Sequence, residues 1–340
     1  MQKKTKYLLL FIALIVSVFF VLYNKNISTL SSNEKDFGYK NTNNIDKIFI
    51  TNRANKEYVT VTKKDNKTWM VNDKYEANWS QIDIVLSTLK TMQVKKPVGK
   101  LELESVKQNL STNGTKVEIY ENGIISKTFY VGGNTSDETG TYFYMEGAKE
   151  PYVCHIPGFT GYLSTRFFTN LNAWRSRNVF KTKAENIATI KINWLEQPQQ
   201  SYEIINKDKL PQLISNGTIL ENNTEVNANK LKAYLDCWEN LSYAGIMEYS
   251  PKTVDSIAQS KPFLIINLTD IDNKTTSLTL YKMAVGERSH NKMDDNGNPL
   301  DFETQNFYAL VGNNRTELVQ IQDFVFGKVM KPKDYFLMGK

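Results

Sequence analysis

The chain has 340 residues, with 42 basic and 36 acidic side chains, two histidines and two cysteines. Setting aside Lys3, Lys4, Lys6 and Lys25 leaves 38 bases against 36 acids, so the bulk of the chain lacks the basic stripe that a nucleic-acid partner requires. The sequence contains no HExxH, no GxSxG and no paired CxxC, which removes the familiar zinc, nucleophile-elbow and redox signatures; no cofactor, metal site or catalytic residue is expected.

The first predicted element is an anchor over residues 1–25. Three lysines precede an apolar run of seventeen residues from Tyr7 to Tyr23, just long enough to cross a bilayer and flanked by interfacial tyrosines. A cleaved signal peptide would need small residues before its cut site, where FFVLYNKN offers bulky ones. A lipoprotein would need a cysteine after the run, and the cysteines are Cys154 and Cys237. The expectation is a single-pass protein of the inner membrane with residues 7–23 in the bilayer, its N-terminus cytoplasmic and its bulk periplasmic. Residues 26–44, rich in Asn and Ser, read as a flexible stalk.

Residues 45–163 form a first α+β repeat. Apolar and polar residues alternate from Ile48 to Val71 as in a half-buried hairpin. A helix follows behind Asn78 as N-cap, with Gln81 completing a capping box and Trp79, Ile82, Leu86 and Leu89 as its core stripe. A shorter helix near Val106 leads into further strands. The stretch VGGNTSDETGTYFYMEG (131–147) has the glycines of a phosphate loop but neither its lysine nor a following helix, so it reads as a turn between strands.

Residues 164–186 read as an inter-lobe connector crowded with Phe167, Phe168, Trp174, Phe180 and three arginines. Its plain role is packing. Its sharper role is a cleft in which Arg166, Trp174, Arg175 and Arg177 hold an anion, the arginines by bidentate hydrogen bonds.

Residues 187–330 repeat the first lobe. IDKIFI (45–50) matches IATIKI at an offset of 142, the helix block at 149, TKVEIY (115–120) matches PFLIIN at 147, and 142–159 aligns without a gap on 307–324 at 165. The second helix carries Leu231, Tyr234, Leu235, Trp238 and Leu241, with Asn227 as N-cap and Gly245 as its end. Residues 331–340 read as a tail. The fold class is therefore α+β: two tandem, diverged β-rich lobes, each of antiparallel strands with one main packed helix, behind a transmembrane helix.

Other clusters read as structure. His155 lies in a strand and His290 in a polar loop. Met293–Asp301 lacks the ligand spacing of a calcium loop. Cys154 and Cys237 fall on different lobes and read as separate thiols, with a bridge left open. Asp137, Glu138 and Asp301 are the carboxylates that a hydrolase would have to bring within roughly 5–10 Å of each other.

TWMVNDKYEANWSQIDIVLSTLKTMQVKKPV, VGGNTSDETGTYFYMEG, PYVCHIPGFTGYL and AWRSRNVF, behind an N-terminal anchor, together resemble the DUF4340 domain-containing proteins, a family of unknown function best represented in Bacteroidetes. The resemblance implies an anchored, periplasm-facing protein with no recognised catalytic residues. It also implies an association with the permease and auxiliary components of ABC-type export systems. The expected function is a non-enzymatic accessory or scaffold with a protein partner in the envelope, such as ABC-type permease subunits. The alternative is a binder of an envelope glycan or small anionic ligand between the lobes, and an envelope hydrolase has the least support.

Overall fold

A computed structural model describes residues 32–340 except 53, 208–209, 223–224, 288, 290, 313–316 and 340. The expected anchor lies outside the described residues. Among those that are described, no helix is long and apolar enough to cross a membrane. The chain forms two units, divided between Ser176 and Arg177, so the stretch expected as a connector is split between them.

The first unit is a nine-stranded antiparallel sheet with a helix on each face. Its strands are β1 (Ile45–Asn52), β2 (Glu57–Lys63), β3 (Trp69–Val71), β4 (Tyr75–Glu76), β5 (Gln93–Pro97), β6 (Thr115–Glu121), β7 (Ile124–Asn134), β8 (Thr141–Met145) and β9 (Tyr152–His155). They lie in the order β4-β3-β2-β1-β6-β7-β8-β9-β5. The chain thus meanders from the centre to one edge and crosses to the other through α1 (Trp79–Thr91). It returns through α2 (Leu103–Asn113) and meanders out again. Period-two alternation sorts the side chains. Ile48, Ile50, Val117, Ile119, Phe129 and Phe143 face α1, whereas Tyr130, Tyr142, Tyr144 and Val153 face α2.

The second unit repeats this plan. Its strands are β10 (Asn178–Phe180), β11 (Ile187–Trp194), β12 (Tyr202–Lys207), β13 (Leu210–Ser215), β14 (Thr218–Leu220), β15 (Leu241–Ser242), β16 (Gly245–Ile246), β17 (Leu264–Asp270), β18 (Thr275–Ala284), β19 (Phe302–Val311) and β20 (Leu318–Gln322). The sheet order β14-β13-β12-β11-β17-β18-β19-β20-β16 is the first order translated element by element, while β10 and β15 pair separately. Helices α3 (Ala228–Asp236) and α4 (Pro251–Gln259) occupy the two faces. Each unit therefore has its main helix and, on the other face, the shorter helix expected near Val106 and Val254.

Register fixes the correspondence. Ile48 pairs with Ile119 and Ile190 with Leu268, so β6 and β17 correspond at an offset of 149, two residues from the 147 read in the sequence. An even slip leaves every side chain on the same face, so the apolar pattern is blind to it. The last block is not free of gaps. Phe143 lies opposite Val131 and Ala309 opposite Leu280, an offset of 166. Tyr152 lies opposite Phe143 and Val319 opposite Ala309, an offset of 167. Even an irregularity is shared: pairing shifts between Ile45 and Lys47 in one unit and between Ile187 and Thr189 in the other.

The helix boundaries need two corrections. The α1 stripe is Ile82, Val85, Thr88 and Leu89, with Trp79 half exposed in the first turn. Helix α3 ends at Asp236, Trp238 is buried beyond it, and Gly245 belongs to β16.

Candidate functional site

The arginine-rich stretch is explained first by what its backbone does. Trp174 O accepts from Asn78 N at 2.7 Å, Arg175 bridges Ala77, and Ser176 N donates to Glu76 O at 2.8 Å. Residues 174–176 thereby cover the free edge beside β4 and fill the position that the capping box assigned to Gln81. The second unit does the same with its tail: Phe336 O accepts from Asn227 N at 2.8 Å, Leu337 bridges Val226, and Met338 N donates to Glu225 O at 2.9 Å. Each repeat thus ends in a strap, and the strap of the first was read from sequence as a connector. Trp174 and Phe336 are fully buried anchors of their straps. At the other end, Phe37 of the expected stalk is buried against Phe129, Phe143 and Tyr152.

The four candidate residues occupy separate settings. Arg166 donates to Thr88 Oγ1 at 2.7 Å and lies over the Phe159 ring. Trp174 Nε1 donates to Phe168 O at 2.8 Å. Arg175 is 7% exposed and stacks 3.6 Å from the Tyr75 ring centroid. Arg177 belongs to the second unit and donates to Ala244 O at 2.8 Å.

The remaining motifs resolve into turns and core. In 131–147, Asp137 accepts from Thr139 N, and hydrogen bonds from the Thr135 and Thr139 side chains hold its carboxyl down to about 2; a strand follows the loop, as expected. Asp294 accepts from the backbone of Asn296 and Asn298, an Asx turn as expected for 293–301. Cys154 and Cys237 are both free; burial raises the Cys154 thiol well above its usual value, which makes it inert. His155 is half buried in β9, and His290 lies outside the described residues. Among the described residues no group of His, Cys, Asp or Glu could hold a metal ion.

A candidate site that the sequence did not reveal lies on the α2 side of the first unit's sheet, termed its outer face. Two clefts, of about 310 and 460 Å³, flank α2 and share Leu110. One is lined by Tyr130, Tyr144, Glu146, Lys107 and Ser111. The other is lined by Glu102, Ser105, Asn109, Asn134, Ser136 and Tyr142. Tyrosine–carboxylate pairs order this face: Tyr142 donates to Glu102 at 2.8 Å, Tyr130 to Glu146 at 3.0 Å and Tyr120 to Glu118 at 2.7 Å. Burial, then the hydrogen bond to the carboxylate, pushes Tyr142 and Tyr120 up to about 12, so both hydroxyls remain protonated donors. Burial by itself would raise Glu118, but hydrogen bonds from Lys116 and Tyr120 and the Lys116 charge outweigh it and leave the carboxyl below its ordinary value.

Between the clefts, α2 approaches the sheet over a glycine. A Cβ at Gly132 would come within 2.8 Å of Leu110 Cδ2. At the corresponding position the second unit has Tyr281, 2% exposed, its hydroxyl donating to Ala258 O of α4 at 3.3 Å. Thr279 and Leu310 stand there for Tyr130 and Tyr144. The face is closed by Tyr281, Leu310 and Leu318 under Val254 and Ile257.

A family model described as a domain of unknown function, DUF4340, matches residues 69–262. The chain belongs to this DUF4340 family. The match begins at β3 and ends just before β17, so it spans the boundary between the units and both clefts. No curated protein and no solved structure matches the chain.

Proposed function

We propose that this DUF4340 protein is an anchored binding module of the cell envelope, held in the inner membrane by residues 7–23 with its two units in the periplasm. In this reading it serves as an accessory or scaffold for an envelope complex, such as an ABC-type transport system. The anchor and topology rest on the apolar run behind Lys3, Lys4 and Lys6. Binding in preference to catalysis rests on one observation: each carboxylate of the outer cleft is already engaged by a tyrosine hydroxyl. Such a surface presents fixed donors and acceptors to a ligand.

The test is cross-linking in native membranes, followed by purification of a C-terminally tagged chain. Stoichiometric recovery of permease subunits is the expected result. Recovery of the protein alone at full cross-linking efficiency would overturn the accessory role. A glycan-binding reading is favoured by the hydroxyl- and amide-rich lining of the larger cleft.

A further inference from the structure

We propose that the larger of the two clefts beside α2 binds a neutral saccharide, with Glu102, Asn109 and Ser136 as hydrogen-bonding partners. This proposal rests on reading the outer face of the first unit as a binding site.

Size, charge and polarity each narrow the ligand. Both volumes lie within the roughly 300–1,000 Å³ of small-molecule clefts. Charges within the site are matched internally. Lys116 lies 2.8 Å from Glu118 and 3.9 Å from Glu146, and Lys107 lies 3.9 Å from Glu104. The larger cleft has no lysine or arginine among its lining residues, so an anionic ligand has nothing to pair with. Its one carboxylate, Glu102, already accepts from Tyr142 and from Gly99 N, which reduces its pull on a cation.

What the cleft offers is hydroxyls and amides in number. Ser105, Ser136 and the Asn109 amide line it, and no hydrogen bond within the described residues uses these three side chains. An amide supplies two donors and an acceptor, and each hydroxyl supplies both functions. Vicinal sugar hydroxyls carry the same mixed donor–acceptor pattern. The apolar floor of Val106 and Leu110 suits the C–H face of a pyranose, whose hydroxyls point sideways. A peptide strand would instead seek the backbone of a free sheet edge. This surface is a sheet face, and the edge beside β4 is covered by 174–176.

The second unit provides an internal control. Its corresponding face has Tyr281, Thr279 and Leu310 and packs closed. The two repeats therefore treat the same face differently, one packing it closed and the other leaving clefts beside its helix.

The test uses the full chain in detergent, titrated by ligand-observed NMR with N,N′-diacetylchitobiose and maltose, with glucose 6-phosphate and glucosamine as charged controls. Binding of either neutral disaccharide in preference to the charged sugars is expected. The arm that binds tells a wall-type amino sugar from a plain glucan. The blocking variant is Gly133→Leu: its backbone is outside the left-handed region and a Cβ there meets nothing within 4 Å, so it fills the cleft without disturbing the sheet. A weakening of at least about tenfold is expected for Gly133→Leu and for Asn109→Ala, with an unchanged thermal midpoint.

Absence of binding by both neutral sugars overturns the proposal, as does equal binding by the blocked variant. If Gly133→Leu abolishes recovery of a protein partner while no sugar binds, the saccharide assignment fails and the binding module stands. If it affects neither, the face beside α2 is not a binding site and the saccharide proposal fails, while the accessory role is decided by partner recovery.

Discussion

The two units are copies in backbone and strangers on one face. They share strand order, the shifted pairing at Ile45 and Ile187, and terminal straps anchored by Trp174 and Phe336. They differ where α2 and α4 meet the sheet: Gly132 with Tyr130 and Tyr144 in one, Tyr281 with Thr279 and Leu310 in the other. The lesson is that pairing and the inner core fix the duplicated plan, because a slip or a cavity there disturbs many contacts together. A helix lying over the second face is a smaller constraint, so one copy can open what the other fills.

The largest expected effect comes from emptying the filled face. Tyr281→Ala should destabilise the second unit by about 3–5 kcal/mol, as other buried aromatic truncations do, and denaturant unfolding of the chain measures it. The converse change, Gly132→Ala in the first unit, forces Leu110 to move and should cost about 1–3 kcal/mol. A neutral outcome for Gly132→Ala would show that the glycine is not what seats α2.

Helix caps sharpen the comparison at a finer scale. Asn227 accepts from both Asn229 N and Lys230 N, while Asn78 accepts from Ser80 N. Replacement by alanine should cost about 1 kcal/mol at either site, with Asn227 the larger; equal losses in thermal unfolding would mean that the second amide contributes nothing.

The outer face of the first unit has an electrostatic pair whose counterparts in the second are Ile265 and Asn267. The lowered Glu118 and raised Lys116 have opposite pH limits. Stability from Glu118 is present above the ordinary carboxylate range and lost as pH falls through its lowered folded value. Stability from Lys116 is present below the ordinary lysine range and lost as pH rises through its raised one. Glu118→Gln should therefore cost about 0.2–1 kcal/mol at neutrality and nothing at strongly acidic pH; a loss independent of pH would sink the assignment. Smallest of all, Asp137 should titrate near 2 by carboxyl NMR, and Asp137→Asn should loosen only the loop 135–140.

Much of the plan was legible in the sequence. The duplication, both N-caps, the turn nature of 131–147 and the α+β class follow from apolar periodicity, Asx chemistry and glycine placement, all local properties of a few consecutive residues. Periodicity also explains the errors. It reports a face and not a register, so the two-residue slip at β6 and β17 was invisible to it. Trp79 fits a helical stripe by spacing, yet in the first turn it remains half exposed.

The straps and the cleft belong to tertiary structure alone. Residues 174–176 and 336–338 have no pattern that announces pairing with Glu76–Asn78 and Glu225–Asn227, because the partners lie about a hundred residues away. The cleft is formed by residues from α2, β7 and β8 and the turns beside them, each unremarkable in its own segment. Sequence determined which residues seek the core and where the chain turns, since those are short-range preferences. Only the fold decided which polar side chains would meet, since proximity across a sheet is set by the packing of the whole unit.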